Sequence, residues 1–304
     1  MTVIEPTGPS AATSAEPGVL QLGEAKPLRT EVWRRFRKNR LAVAGLIFLG
    51  VVILAAIFAD LIAPYGFAER PLPRTYRAGP SAEHWFGTDA IGRDLFSRII
   101  YGARVSLKVG ILATSLSLTI GILLGAVAGY FGGLLDTLVM RLTDVFLAIP
   151  YIILAVAIAT LFGRSENSII IVLGLTGWLA IVRIVRATFL SLTQLEYVEA
   201  ARALGFGRWR IITRHVLPNA LQPIIVYGTI SVGTAILSEA ALSFLGVGPQ
   251  DPTPAWGLMV AQGKGDLVSA SHLLFFPGAA IFLTVLAFVL VGDGLRDALD
   301  PKMR

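Results

Sequence analysis

Few residues in this chain have the types and spacing for chemistry. Asp89, Arg93 and Asp94 lie close together and could form a metal or substrate site, but Asp89 and Arg93 also stand at i, i+4, the spacing of a helical ion pair. Glu239 interrupts an apolar run, where a carboxylate needs either a partner or a water-filled path, so it is a candidate for a translocation path. Arg183 and Arg186 share one face near the end of another apolar run, placed for function or for snorkelling to the interface. Gly257 to Lys264 invites comparison with a phosphate-binding loop, but the spacing carries one residue too many. Gly265 also stands where Ser or Thr is required, so ATP is not bound by that motif. With no cysteine and only His84, His215 and His272 scattered along the chain, neither a thiolate nor a histidine metal centre is expected. No nucleophile and base converge within the apolar runs, so the chain is not read as an enzyme.

A different kind of feature occupies residues 196–218. Glu199-Ala-Ala-Arg-Ala-Leu-Gly205 is rich in helix formers and ends on a residue suited to a helix C-terminus. Tyr197, Ala201 and Leu204, at i, i+4 and i+7, would give that helix a narrow apolar face. A second short helix follows in this reading, with Trp209, Ile212 and Val216 on one side. Pro218 then falls at or just before the first turn of the next long helix, where its missing amide is tolerated. A helix-turn-helix between two apolar runs can seat as a knob in a groove of a soluble partner. Ala200, Ala201 and Gly205 permit close approach, and Glu199 is available to pair with a basic group.

The elements that carry these residues are membrane helices. Apolar residues make up 55 % of the 304 and charged residues 15 %, against about a quarter charged in soluble domains. Candidate spans run 41–63, 109–135, 145–162, 168–190, 220–245 and 273–291, each near the roughly 20 residues that cross a bilayer. All six must be helical, because lipid offers no partner to an open backbone amide. Arg34, Arg35, Arg37, Lys38 and Arg40 precede the first span and place the amino terminus in the cytoplasm. The carboxyl terminus, with Arg296, Lys302 and Arg304, then returns to that side, as does loop 196–218. The net charge of +6 thus reads as membrane-flanking charge, not a nucleic-acid surface. Residues 1–30 form a polar tail without apolar periodicity, expected to be disordered. Gly121, Gly125 and Gly129 recur every four residues, allowing close helix packing within the chain or against a partner subunit.

The loop motif identifies a resemblance. Glu-Ala-Ala, three residues, Gly, nine residues and a terminal Leu-Pro resemble the coupling loop of bacterial ATP-binding-cassette importer permeases. Glu199, Ala200, Ala201, Gly205, Leu217 and Pro218 match it; His215 replaces the general motif's isoleucine, and His-Val-Leu-Pro-Asn resembles the peptide-importer branch. His84-Trp-Phe-Gly-Thr-Asp-Ala-Ile-Gly-Arg-Asp94, Gly129-Tyr-Phe-Gly-Gly133, Ser243-Phe-Leu-Gly246, Pro252-Thr-Pro-Ala-Trp-Gly257 and the 292–301 tail are similar to C-type dipeptide and oligopeptide permeases.

This resemblance implies an all-α, six-span permease of the type I importer architecture in the cytoplasmic membrane. It divides the chain into tail 1–30, first span 31–65, external loop 66–101, core 102–294 and tail 295–304. A homologous B-type permease, two ATP-binding subunits or domains carrying ATP and magnesium, and an external peptide-binding protein are its implied partners. This chain itself holds no cofactor. Asp89, Arg93, Asp94 and Trp256 are the candidates to face the binding protein. Di- or oligopeptides are the implied cargo, with nickel chelates, glutathione or sugars as alternatives. A more distant rival, an ion-coupled secondary transporter, should carry paired acids or broken helices at mid-membrane.

Overall fold

The computed structural model describes residues 28–70 and 76–300. The amino-terminal tail up to residue 27, Lys302 and Arg304 fall outside these residues. Among the described residues the chain is helical, and its one β-bridge, Thr88 with Asp94, closes a loop and starts no sheet. Five helices are long and apolar enough to cross a membrane. They are α2 (Arg40–Ile57), α4 (Leu95–Phe131), α7 (Glu166–Leu192), α10 (Leu217–Phe244) and α12 (His272–Leu299). The shorter α1 (Leu28–Phe36) and α3 (Ala59–Ile62) flank α2, while α11 (Trp256–Gly263) precedes α12.

The third expected span, 145–162, is not one straight helix. It is divided between α5 (Gly133–Leu147) and α6 (Tyr151–Phe162), whose axes meet at 91°. Pro150 caps α6 and explains the break: it offers no amide to the preceding turn and disfavours helical geometry at Ile149. At 1.5 Å per residue, the 12 residues of α6 rise only about 18 Å, too short to cross alone, and the five spans become six only if the bent pair counts as one. The second span is longer than expected. Helix α4 begins at Leu95, inside the expected external loop, and its 37 residues extend about 55 Å. Asp94 fixes that start by accepting a hydrogen bond from the Ser97 amide at 2.7 Å.

Helix α7 is the centre of the bundle: 61 % of its apolar window is buried, against 22 % for α2 and for α12. Its closest neighbour is α4. An added Cβ on Gly121 would meet Ile181, one on Gly125 would meet Val185, and one on Gly129 would meet Phe189, all within 2.7 Å. The glycine stripe therefore brings α4 against α7 of the same chain. A second layer of α2, α10 and α12 packs around Leu49, Ile236 and Phe288. Ile47, Val51 and Leu54 of α2 and Phe275 and Phe282 of α12 remain exposed, as suits faces turned to lipid or to another subunit.

Candidate functional site

The 196–218 segment folds as α8 (Glu196–Ala203), a glycine turn, and α9 (Arg208–Ile211), which runs through a π-helical turn at Ile212–Val216 into α10. The expected second short helix is thus the first part of one continuous element, Arg208–Phe244. Gly205 has φ +76°, and the turn is closed by Gly205 N–H to Arg202 O at 2.9 Å and Phe206 N–H to Ala201 O at 3.1 Å. That pair of bonds is the Schellman ending, in which the left-handed residue favours glycine.

The face of α8 that packs inward differs from the expected one. Val198 and Ala201 are buried among Val185, Phe189, Ile211 and Val216, whereas Tyr197 is exposed and Leu204 is 74 % exposed. Three helices converge behind Val198, and their packing decides the face more strongly than spacing along α8. Ile212 and Val216 are buried, but Trp209, assigned to the same side, is 70 % exposed. The outward surface therefore combines Ala200, Leu204, Gly205 and Trp209 with Glu199, whose side chain has no hydrogen bond or ion pair among the described residues. Behind it, Arg210 lies over the Phe206 ring and Phe206 stacks on His215. Asn219 donates to His215 O at 2.7 Å, and Tyr197 donates to the same oxygen at 3.3 Å. These contacts brace α8 against the base of α10. Spacing did not reveal the Tyr197 contact, because it joins residues 18 positions apart.

Further along α10 lies a cleft of about 230 Å³ between α4, α6, α7 and α10. Its wall carries the hydroxyls of Tyr227, Ser231, Thr234 and Ser238 from α10, faced by Thr114 and Ser117 of α4, and no charged side chain lines it. Thr114 Oγ1 has no partner among the described residues. The α10 hydroxyls are spaced i, i+4, i+7 and i+11, a helical stripe that spacing alone could have shown. Glu239 is next in the chain to Ser238 but turns away from the cleft. It is fully buried, accepting hydrogen bonds from Ser243 at 2.7 Å and Ser106 at 3.3 Å. The Trp256 amide in turn donates to Ser106 Oγ at 3.3 Å, so the carboxylate joins α4, α10 and α11.

The remaining candidates form a second cluster beyond the end of α4. Arg93 donates to Asp89 at 2.6 Å and to Asp251 at 3.0 Å. The Asp89–Arg93 pair is carried by the bridged loop 88–94, not by a helix: Asp89 also accepts the amides of Ile91 and Arg93. Asp94 caps α4 and lies 2.8 Å from His84 Nδ1. Burial pushes the Asp251 carboxyl up, but Gln262 and Arg93 outweigh burial and hold it below its ordinary value. Asp89, Arg93, Asp94 and Trp256 are all buried, with Trp256 donating from its indole to Ile99 O at 2.9 Å. They shape this end of the molecule; their side chains do not form its surface.

Arg183 and Arg186 pair with acids of α5. Arg183 reaches Asp144 at 2.7 Å, and Arg186 grips Asp136 through two nitrogens. Gly257–Lys264 is helix α11 entering a 3₁₀ turn, not an open phosphate cradle. Among the described residues no three His, Asp or Glu side chains gather as a metal site.

Comparison with known proteins bears on the fold and the family. Residues 121–304 match the family model described as "binding-protein-dependent transport system inner membrane component", and residues 28–80 match the "N-terminal TM domain of oligopeptide transport permease C". The chain is 47 % identical over 274 residues to a dipeptide transport system permease protein of Alkalihalophilus pseudofirmus, covering 90 % of each. It is 46 % identical over 274 residues to a glutathione transport system permease protein of Escherichia coli O157:H7, again covering 90 % of each. A chain of the inward-facing MetNI methionine ABC transporter shares the fold, with a TM-score of 0.57 at 20 % identity. That match covers 67 % of this chain and 97 % of the other.

Proposed function

The chain belongs to the family of binding-protein-dependent transport system inner membrane components, and from that membership we propose a peptide-importing half-channel driven through residues 196–218. It is a multi-pass permease subunit of an ATP-binding-cassette importer in the cell membrane, and it works with a permease partner and ATPase subunits. One observation carries the mechanism. The continuous element Arg208–Phe244 holds the α9 end of the loop at one extremity and the hydroxyl stripe of the cleft at the other. Between Arg208 and Ser238 it spans about 45 Å. An ATPase that grips Glu199, Ala200, Gly205, Leu204 and Trp209, and changes shape on hydrolysis, would move the cleft wall with the loop. The loop end is the cytoplasmic side in this reading, and the opposite end, whose loops the buried Asp89–Arg93 pair shapes from beneath, faces an external binding protein.

Di- and oligopeptides are the proposed cargo. The cleft wall offers hydroxyls, which can both donate to and accept from peptide groups, and no fixed charge that would select one side chain. Glutathione, itself a small peptide, is the second reading, favoured by the similarity to glutathione permeases. The test is uptake and ATP hydrolysis by the assembled transporter in proteoliposomes. Glu199→Arg and Gly205→Val should abolish uptake while basal hydrolysis persists. Gly205→Asn, which tolerates the left-handed turn, should retain more uptake than Gly205→Val. Unchanged uptake in both of the severe variants overturns the assignment of the loop.

A further inference from the structure

At the amino-terminal end of the bundle, α1 is separated from α2 by residues 37–39, and Asn39 caps α2 by accepting the Ala42 amide at 3.1 Å. Phe36 is buried against Ala42 and Ala298, and Arg35 donates to Asp300 O at 3.1 Å, so α1 is fixed to the end of α12. Between them opens a groove of about 690 Å³, within the size range of small-ligand sites. Trp33 and Phe36 of α1, Leu46 of α2, Pro218 and Leu221 of α10 and Leu295 of α12 form its walls, and Gln222 is its one polar residue.

The chain turns basic immediately beyond the groove. Arg37, Lys38 and Arg40 are exposed, and none has an acidic partner among the described residues. The apolar run of α2 starts at Leu41, so these cations stand where hydrocarbon meets headgroups. Trp33, 53 % exposed, stands one turn before Arg37, and tryptophan favours this depth. An apolar trough beside unpaired cations at that boundary matches one chemistry, an acyl chain attached to an anionic head.

We propose that the groove between α1, α2, α10 and α12 binds an anionic phospholipid, with Arg37, Lys38 and Arg40 on its headgroup and Trp33 beside its acyl chain. Because Pro218 and Leu221 belong to the first turns of α10, the bound lipid also bears on the base of loop 196–218.

The experiment uses the assembled transporter in bilayer discs of phosphatidylcholine. Brominated phosphatidylglycerol or brominated phosphatidylcholine is added, and quenching of Trp33 is obtained by difference from Trp33→Phe. Phosphatidylglycerol should quench Trp33 at lower mole fraction than phosphatidylcholine. Each of Arg37→Gln and Lys38→Gln should weaken that preference about fivefold, the effect of one cation near an anionic surface. ATP hydrolysis in phosphatidylcholine alone checks that the variants are folded. Both leaflets carry the same lipid, so the result does not depend on which end of the protein is cytoplasmic or on how the loop is driven. Equal quenching by the two lipids, a preference unchanged when Arg37→Gln and Lys38→Gln are combined, or a Trp33 that no lipid reaches because protein covers the groove, each overturns the proposal.

Discussion

The α4–α7 seam offers a measurement in which one energy term can be isolated. Gly125→Ala places a Cβ 2.7 Å from Val185 Cβ and 2.8 Å from Val182 O. Carbon contacts settle at about 3.5–4.0 Å, so the seam must open by about 1 Å. Neither opposing atom is at the end of a flexible side chain, and overpacking of this kind costs about 1–3 kcal/mol. The same substitution gains about 1 kcal/mol of helix propensity. Gly50→Ala in α2 supplies the control, because nothing lies within 4 Å of its added Cβ. Both variants share the propensity gain, so their difference, about 1–3 kcal/mol in favour of Gly50→Ala, reports the steric term alone. Denaturant-calibrated thermal unfolding of the purified transporter, followed by tryptophan fluorescence, measures it. If Gly125→Ala is as stable as Gly50→Ala, α4 and α7 do not meet at this glycine and the reasoning fails.

The ion pairs and the buried carboxylate lead to three further expected outcomes. Asp136→Arg should destabilise the α5–α7 contact and reduce uptake, and adding Arg186→Asp should restore part of both; a double variant no better than the single one would show that the pair is not the cause. Glu239→Gln should keep uptake, because the amide oxygen can still accept from one serine while its NH2 donates to the other's Oγ, whereas Glu239→Leu should lose about 1–3 kcal/mol of stability by leaving both hydroxyl protons without their acceptor; uptake abolished equally in both, at normal stability, would instead place Glu239 in the path. The Asp251 carboxyl is held below its ordinary value of 3.8. A depressed carboxylate stabilises the folded state at and above that value, and the contribution disappears as the pH falls through the folded value. Asp251→Asn should therefore flatten the acid limb of a stability profile below about pH 4 and leave pH 6–8 nearly parallel; an unchanged acid limb would refute it.

The apolar runs made the spans legible in the sequence, because the bilayer imposes length and composition on each segment independently. Hydropathy says nothing about direction, however, so Val145–Phe162 read as one crossing although Pro150 turns the chain. The Glu199–Gly205 motif and the glycine stripe were readable because their spacing is local. Which face of α8 is buried was not, since Val198 is enclosed by residues of α7, α9 and α10. The partners of Glu239 were hidden for the same reason: Ser106 is 133 positions away. Asp89 and Arg93 meet at the spacing that suggested a helical pair, yet a bridged loop brings them together, so correct contact and incorrect element came from one pattern. The hydroxyl stripe of α10 has local spacing too, and it was legible in principle.

The wide turn at Ile212–Val216 gives the long element an uneven stiffness. Sections in series carry the same torque and share the rotation by their compliance, so a five-residue turn with shifted amide bonds, softer than the α-helix on either side, would take more than its share. Rotation applied at Trp209 would be taken up partly there before Tyr227 turns. The cleft wall would then turn through a smaller angle than the loop that drives it.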